Sequence, residues 1–140
     1  MKIYLASPFF NHDEIVVYDK VITLLRDLGH EVFVPREHEI ENAWDLPNSE
    51  WGAKVFKTDV EAINNCDRVV ALYWGMYSDS GTAWECGYAY GIGKPVEVII
   101  CNPDPTDEEY SLMMVNGCLY YGTLEEFIVG KGSTFQPMQK

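Results

Sequence analysis

The chain has 140 residues, of which 47% are hydrophobic and 14% aromatic, enough apolar surface for one real core and too little length for a second domain. Its formal net charge of -12 and pI near 4.5 exclude nucleic-acid polymers and anionic membranes as partners, because binding either one needs clustered Lys and Arg. Four cysteines (Cys66, Cys86, Cys101 and Cys118) form no CxxC pair and have no metal-like spacing with the three histidines, so we expect reduced thiols in a cytoplasmic protein, without disulfide or metal site.

Residues 2–6 (KIYLA) are expected to form a first strand, and the amino terminus stops being apolar too early for a signal peptide. Asp13 to Leu28 repeats apolar side chains at helical spacing until Gly29 ends the run. His30 to Val34 reads as a second short strand, followed by a polar connection from Pro35 to Glu50 that is long for a structureless loop. A helix is expected from Trp51 to Asn65, a buried strand from Arg68 to Trp74, a helix from Thr82 to Ile92 and a strand from Val96 to Cys101. The tail 130–140 reads as weakly ordered, and no run is long enough to span a membrane. Alternating strands and helices specify a doubly wound, mostly parallel sheet covered on both faces, an α/β domain of the flavodoxin-like or Rossmann-like kind.

Chemistry concentrates where the strand ending at Trp74 gives way to the next helix, because open α/β sheets bind ligands outside the carboxyl ends of their strands. There the sequence reads Asp79-Ser80-Gly81-Thr82-Ala83-Trp84-Glu85. Glu85, Asp59 and Tyr4 lie on elements that can meet at one sheet edge. One carboxylate to trap an oxocarbenium-like sugar and a second carboxyl to protonate the departing group are what glycosidic cleavage requires. Tyr4 could orient Glu85 through a hydrogen bond and hold it ionised. Each residue also has a plain structural reading. Thr82-x-x-Glu85 spells a capping box, Asp79 or Ser80 is an ordinary N-cap, Asp59 suits a solvent-facing helix, and Tyr4 suits a core. Gly87 and Gly91, four apart inside a helix, call for a close neighbour, either a strand or a partner's helix.

Over nearly its whole length the chain resembles the nucleoside 2-deoxyribosyltransferase family. The segments that carry the likeness are IYLASPFF, FKTDVEAINNCD, DSGTAWECGYAYGIGKPV and SLMMVNG. The resemblance implies a five-stranded flavodoxin-like sheet and no cofactor. It makes Glu85 the nucleophile, Asp59 the helix aspartate near the base, Asp79 the acidic residue six positions before the nucleophile, and Tyr4 its strand partner. It further implies 2'-deoxynucleosides and free nucleobases as substrates, double displacement through a deoxyribosyl-enzyme ester, and a homo-oligomer with shared sites. Gly81 falls in the same core segment and is assigned to substrate binding with Asp79.

Ser111 stands where such transferases commonly carry an asparagine from a neighbouring subunit. A related branch, the 2'-deoxynucleoside 5'-monophosphate N-hydrolases, uses serine there to hold phosphate. An anionic Asp79 and the neutral Pro8-Phe9-Phe10 loop argue against a phosphorylated substrate. A nucleotide hydrolase and a non-catalytic nucleoside-binding domain stand as the alternatives. Phe9 and Phe10 could stack on the base or pack in the core, and Met113 and Met114 could contact base or partner or fill the core.

Overall fold

The computed structural model describes residues 1–38, 47–75, 79–102 and 110–130. Half of the expected 35–50 loop, residues 39–46, and the tail 131–140 lie outside the described residues. Five strands, β1 (Lys2–Ala6), β2 (Glu31–Phe33), β3 (Arg68–Tyr73), β4 (Val96–Ile100) and β5 (Tyr120–Thr123), form one sheet of order β2-β1-β3-β4-β5, and every pair is parallel. The helices are α1 (His12–Asp27), α2 (Asn48–Asn65), α3 (Ser80–Gly91), α4 (Leu112–Asn116) and α5 (Leu124–Val129).

Alternation along the strands decides which helix goes where. Ile3, Leu5, Val70, Leu72 and Ile99 point to one face, where they meet Tyr18, Val21 and Leu25 of α1 and Phe127 of α5. Tyr4, Ala6, Val69, Ala71, Tyr73, Val96 and Val98 point to the other, beneath Ile63 of α2, Cys86 and Ala89 of α3 and Met114 of α4. With both faces covered, β3 and β4 are buried at every position, which is why they are apolar at all but Arg68 and Glu97.

Local signals place the helix ends. Asn11 Oδ1 accepts the Glu14 amide at 2.9 Å to start α1, and Gly29, at φ +89°, turns the chain out of it. Helix α5 begins with a complete Thr123–Glu126 capping box. At the amino end of the sheet, Arg68 and Glu97 form an ion pair with both side chains buried on the α1/α5 face. All four cysteines are buried free thiols. No helix among the described residues is long and apolar enough to cross a membrane.

One expectation is overturned within the chain. Among the described residues, nothing outside α3's own backbone lies within 4 Å of where a Cβ would stand on Gly87 or Gly91, so no described strand packs against them. Both glycines face outward on α3.

Candidate active site

Strand β1 has β2 on one side and β3 on the other, so the chain reverses its winding there, and the crevice at the carboxyl ends of β1 and β3 is the expected ligand site. Tyr4 is the middle residue of β1. It is fully buried, and its phenol donates a hydrogen bond to Glu85 Oε2 of α3. In the β1–β2 register Tyr4 stands beside Phe33, which brings their rings to 5.5 Å at 12°, and His38 stacks on Phe33 at 4.1 Å and 11°.

Glu85 is not a cap. Helix α3 starts at Ser80 with Asp79 as N-cap: Asp79 Oδ2 accepts the Thr82 amide at 2.9 Å and the Thr82 hydroxyl at 3.0 Å. The first turn is satisfied by Asp79, and the capping-box reading of Thr82 and Glu85 is replaced by that arrangement. The Glu85 side chain is left for Tyr4 and for a cavity of about 430 Å³ between α2 and α3.

That cavity brings Asp59 and Glu85 together, with Gly81 in its wall and Trp51, Phe56 and Trp84 contributing aromatic surface. Gly81 lies in the first turn of α3, and a Cβ there would come within 3.1 Å of Asp79 Oδ2, so the glycine keeps the cap carboxylate uncrowded. An edge-on contact of Phe56 with Trp84 at 5.2 Å and a 2.6 Å hydrogen bond from Tyr88 to Asn64 hold α2 against α3. The two carboxyl groups are thereby carried on helices that are tied together.

The electrostatics follow from this enclosure. Burial pushes the Glu85 carboxyl up to about 7; the Tyr4 hydrogen bond opposes the shift, and the charges of Asp59 and Asp79 add to it. Burial likewise pushes Asp59 up to about 6, with His38 pulling the other way. Tyr4 is driven far above the phenol range, first by burial and then by Glu85, so it remains a proton-bearing donor. Two carboxyl groups that titrate near neutrality in one cavity can divide a proton between them. Among the described residues no cluster of three or more His, Cys, Asp or Glu is placed to hold a metal ion.

Other expected site residues lie elsewhere. Phe9 packs on the α1 core, 5.6 Å from the Tyr18 ring, and Phe10 stacks on Phe9 and is 76% exposed; neither lines the Asp59–Glu85 cavity. Ser111 and Met113 line a separate cavity of about 400 Å³ on the other side of α3, beside Cys86, Gly87 and Tyr90. Met113 is 83% exposed, whereas Met114 is core. Within a single chain, therefore, Ser111 and Met113 do not reach Glu85. The cavity aromatics Trp51, Phe56 and Trp84, and His38, were not singled out from the sequence as site residues. A signal for the first two exists: Trp51, Val55, Phe56, Asp59, Val60 and Ile63 make one helical stripe, apolar except for a single carboxylate.

A parallel 2-1-3-4-5 sheet with two carboxyl groups meeting in a cavity at its switch point defines an α/β domain built for glycosidic chemistry. The family model for nucleoside 2-deoxyribosyltransferase matches residues 3–120. The chain is 37% identical to a 2-deoxyribosyltransferase from Bacillus psychrosaccharolyticus, over 99% of this chain and 100% of that one, with a TM-score of 0.84. The same fold occurs in a 2-desoxiribosyltransferase from Leishmania mexicana (18% identity, 96% and 99% of the two chains, TM-score 0.66) and in a CMP N-glycosidase from Clostridium botulinum (21%, 88% of each, TM-score 0.61). No curated protein sequence matches the chain. The chain belongs to the nucleoside 2-deoxyribosyltransferase family, and with it to the glycosyl-transferring enzymes.

Proposed function

We propose that the protein transfers 2-deoxyribose from a 2'-deoxynucleoside to a free nucleobase, through a covalent ester on Glu85. The observation that carries this is the Glu85 carboxylate itself: turned away from its own helix start, held by Tyr4, and exposed to a cavity that also holds Asp59. In the first half-reaction a Glu85 oxygen bonds to C1' as the C1'–N bond breaks, and the proton of Asp59 passes to the departing base. The developing positive charge on the sugar draws the shared negative charge to Glu85, while the base nitrogen takes the proton from Asp59. The second base reverses each step: its nitrogen attacks C1', Glu85 leaves, and the displaced N–H proton returns to Asp59. Two inversions retain the β configuration. The missing 2'-hydroxyl matters because that electron-withdrawing group would destabilise the cationic sugar, so deoxynucleosides should react faster than ribonucleosides.

Neutral nucleosides suit this cavity better than nucleoside monophosphates. Among the described residues that line it none is Lys or Arg, and Asp79 adds a third carboxylate beside Glu85. Ser111 and Met113, remote from Glu85 in their own chain, reach it from a second copy in a homo-oligomer with shared sites. We place the enzyme in the cytoplasm. Incubation with a deoxynucleoside and a different free base tests the reading. The exchanged nucleoside is the expected product, and Glu85→Ala should abolish it while the protein stays folded. Release of free deoxyribose with no exchange would identify a hydrolase, and faster turnover of monophosphates than of nucleosides would overturn the substrate assignment.

A further inference from the structure

The stretch of α2 that carries Asp59 leans over open space. Trp51, Val55, Asp59 and Val60 line the cavity and none of them is buried, whereas Ile63, one turn beyond Asp59, is fully buried where the helix meets the core. Two ties to α3 hold this stretch at its distance from Glu85. Phe56, three residues before Asp59, meets Trp84, the residue before Glu85, edge-on at 5.2 Å. Asn64, five residues after Asp59, accepts a hydrogen bond of 2.6 Å from the phenol of Tyr88, three residues after Glu85. Each carboxyl group thus lies between the two points at which its helix is fastened to the other. Trp84 and Tyr88, four apart on one helix face, stack at 5.5 Å and 5°, which joins the ties to each other.

We propose that Tyr88 and Asn64 are positioning residues for the transfer reaction, whose hydrogen bond fixes the separation at which Glu85 and Asp59 act on one glycosidic bond. The inference rests on the roles proposed for those two carboxyl groups. Double displacement has a narrow tolerance. Retaining glycosidases work across a carboxyl separation of about 5–5.5 Å, and a misplacement of about 1 Å can cost roughly 100-fold in rate. Neither Tyr88 nor Asn64 lines the cavity, so neither is placed to touch sugar or base. Their bond lies at the surface, where Asn64 is exposed, so the hydroxyl can be removed while the Tyr88 ring stays packed. The tie moves no proton and carries no charge; it acts by its length.

The test measures kcat and KM for base exchange in the full-length protein and its variants. Tyr88→Phe removes the hydroxyl and keeps the ring on Trp84, Asn64→Leu removes the acceptor, and Asn64→Asp keeps an acceptor for the phenol. The first two should lower kcat by roughly tenfold with KM near the parent value, short of the full misplacement because the Phe56–Trp84 tie remains. Asn64→Asp should keep the parent kcat, and Tyr88→Phe combined with Asn64→Leu should be no slower than either alone. Thermal unfolding beside the kinetics establishes that each variant is folded at the assay temperature. Carbon-13 NMR titration of the Glu85 carboxyl gives a readout without substrate. With the tie cut, Asp59 moves off and water enters, while Tyr4 and Asp79, the other groups that face Glu85, stay in place. The Glu85 value should therefore fall in Tyr88→Phe and Asn64→Leu and hold in Asn64→Asp. Parent kcat in Tyr88→Phe, a loss confined to KM, an Asn64→Asp as slow as Asn64→Leu, or a Glu85 carboxyl that titrates alike in all these proteins overturns the inference. Exchange that survives Glu85→Ala would instead sink the transferase reading, so the two failures are distinguishable.

Discussion

Replacing Glu85 with glutamine should make the protein more stable at alkaline pH while removing its activity. Glu85 titrates at about 7 in the folded chain, against an ordinary value of 4.5, because its carboxylate is enclosed and faces Asp59 and Asp79. A carboxyl group whose folded value lies above its unfolded value favours the fold when protonated. That contribution is complete below pH 4.5 and is lost as the pH rises through 7. At about 1.36 kcal/mol per pH unit, the enclosed charge costs roughly 3 kcal/mol at pH 8. Glutamine keeps the shape and still accepts the Tyr4 hydrogen bond, but it carries no charge. Glu85→Gln should therefore raise Tm by about 6–12 °C at pH 8, taking ~2–4 °C per kcal/mol for a chain of this size. The gain should shrink to nothing near pH 4.5. Thermal unfolding followed from pH 4.5 to 8.5 measures both. A variant equal to or less stable than the parent at pH 8, or a gain independent of pH, would refute the claim that Glu85 is held at an energetic disadvantage for the sake of its chemistry.

Tyr4→Phe removes a charge-assisted hydrogen bond worth about 1.5–3 kcal/mol, so Glu85, which titrates above Asp59 and therefore sets the basic limb of the kcat/KM profile, should move that limb up by roughly 1–2 pH units. Asp79→Ala deletes the α3 cap and should cost about 0.5–2 kcal/mol in urea unfolding, whereas Asp79→Asn keeps the cap, removes a repelling charge and should shift that basic limb downward. At the opposite end of the sheet, Arg68→Met strands the buried Glu97 and should cost about 3–5 kcal/mol of stability. Arg68→Met combined with Glu97→Leu should recover most of that loss in the same unfolding assay, and a double variant as unstable as the single one would count against the reasoning.

The parts of the fold legible in the sequence are those whose burial leaves a pattern. β1, β3 and β4 are apolar at all but Lys2, Arg68 and Glu97 because helices cover both faces, and α1 announces itself through its stripe and terminal glycine. β5 left no such trace. At the sheet edge its four residues, Tyr-Tyr-Gly-Thr, are partly exposed at all but the glycine, and a glycine within two tyrosines resembles a turn. The Thr123–Glu126 box after it was readable as a helix start, although α5 spans only Leu124–Val129. In the site, local pattern located Tyr4 and Glu85 at a sheet edge but could not decide between nucleophile and cap. Geometry removes the cap reading, since Asp79 satisfies the first turn of α3, and the nucleophile is the role proposed above. The aromatic reading left stacking on the base and packing in the core both open, and Phe9 takes the core option. The cavity between Asp59 and Glu85 takes its aromatic walls from α2 and α3, because those helices cover the face to which Tyr4 points.

That face is set by β1 register alone. Tyr4 and Ala6 point toward α2 and α3, and Ile3 and Leu5 toward α1, so a slip of one residue would bury the phenol under α1 and leave Glu85 without its donor. The register is held by pairing on both sides, Tyr4 with Phe33 and with Val69, and the ring stack on Phe33 adds a preference that a slipped strand would lose. The hydrophobic alternation that folds the sheet is therefore also what aims the catalytic hydrogen bond proposed for Tyr4. Core substitutions that loosen β1 against β2 should lower activity before they lower stability, since the phenol must meet a carboxylate carried by a separate helix while the strand itself needs only to remain covered.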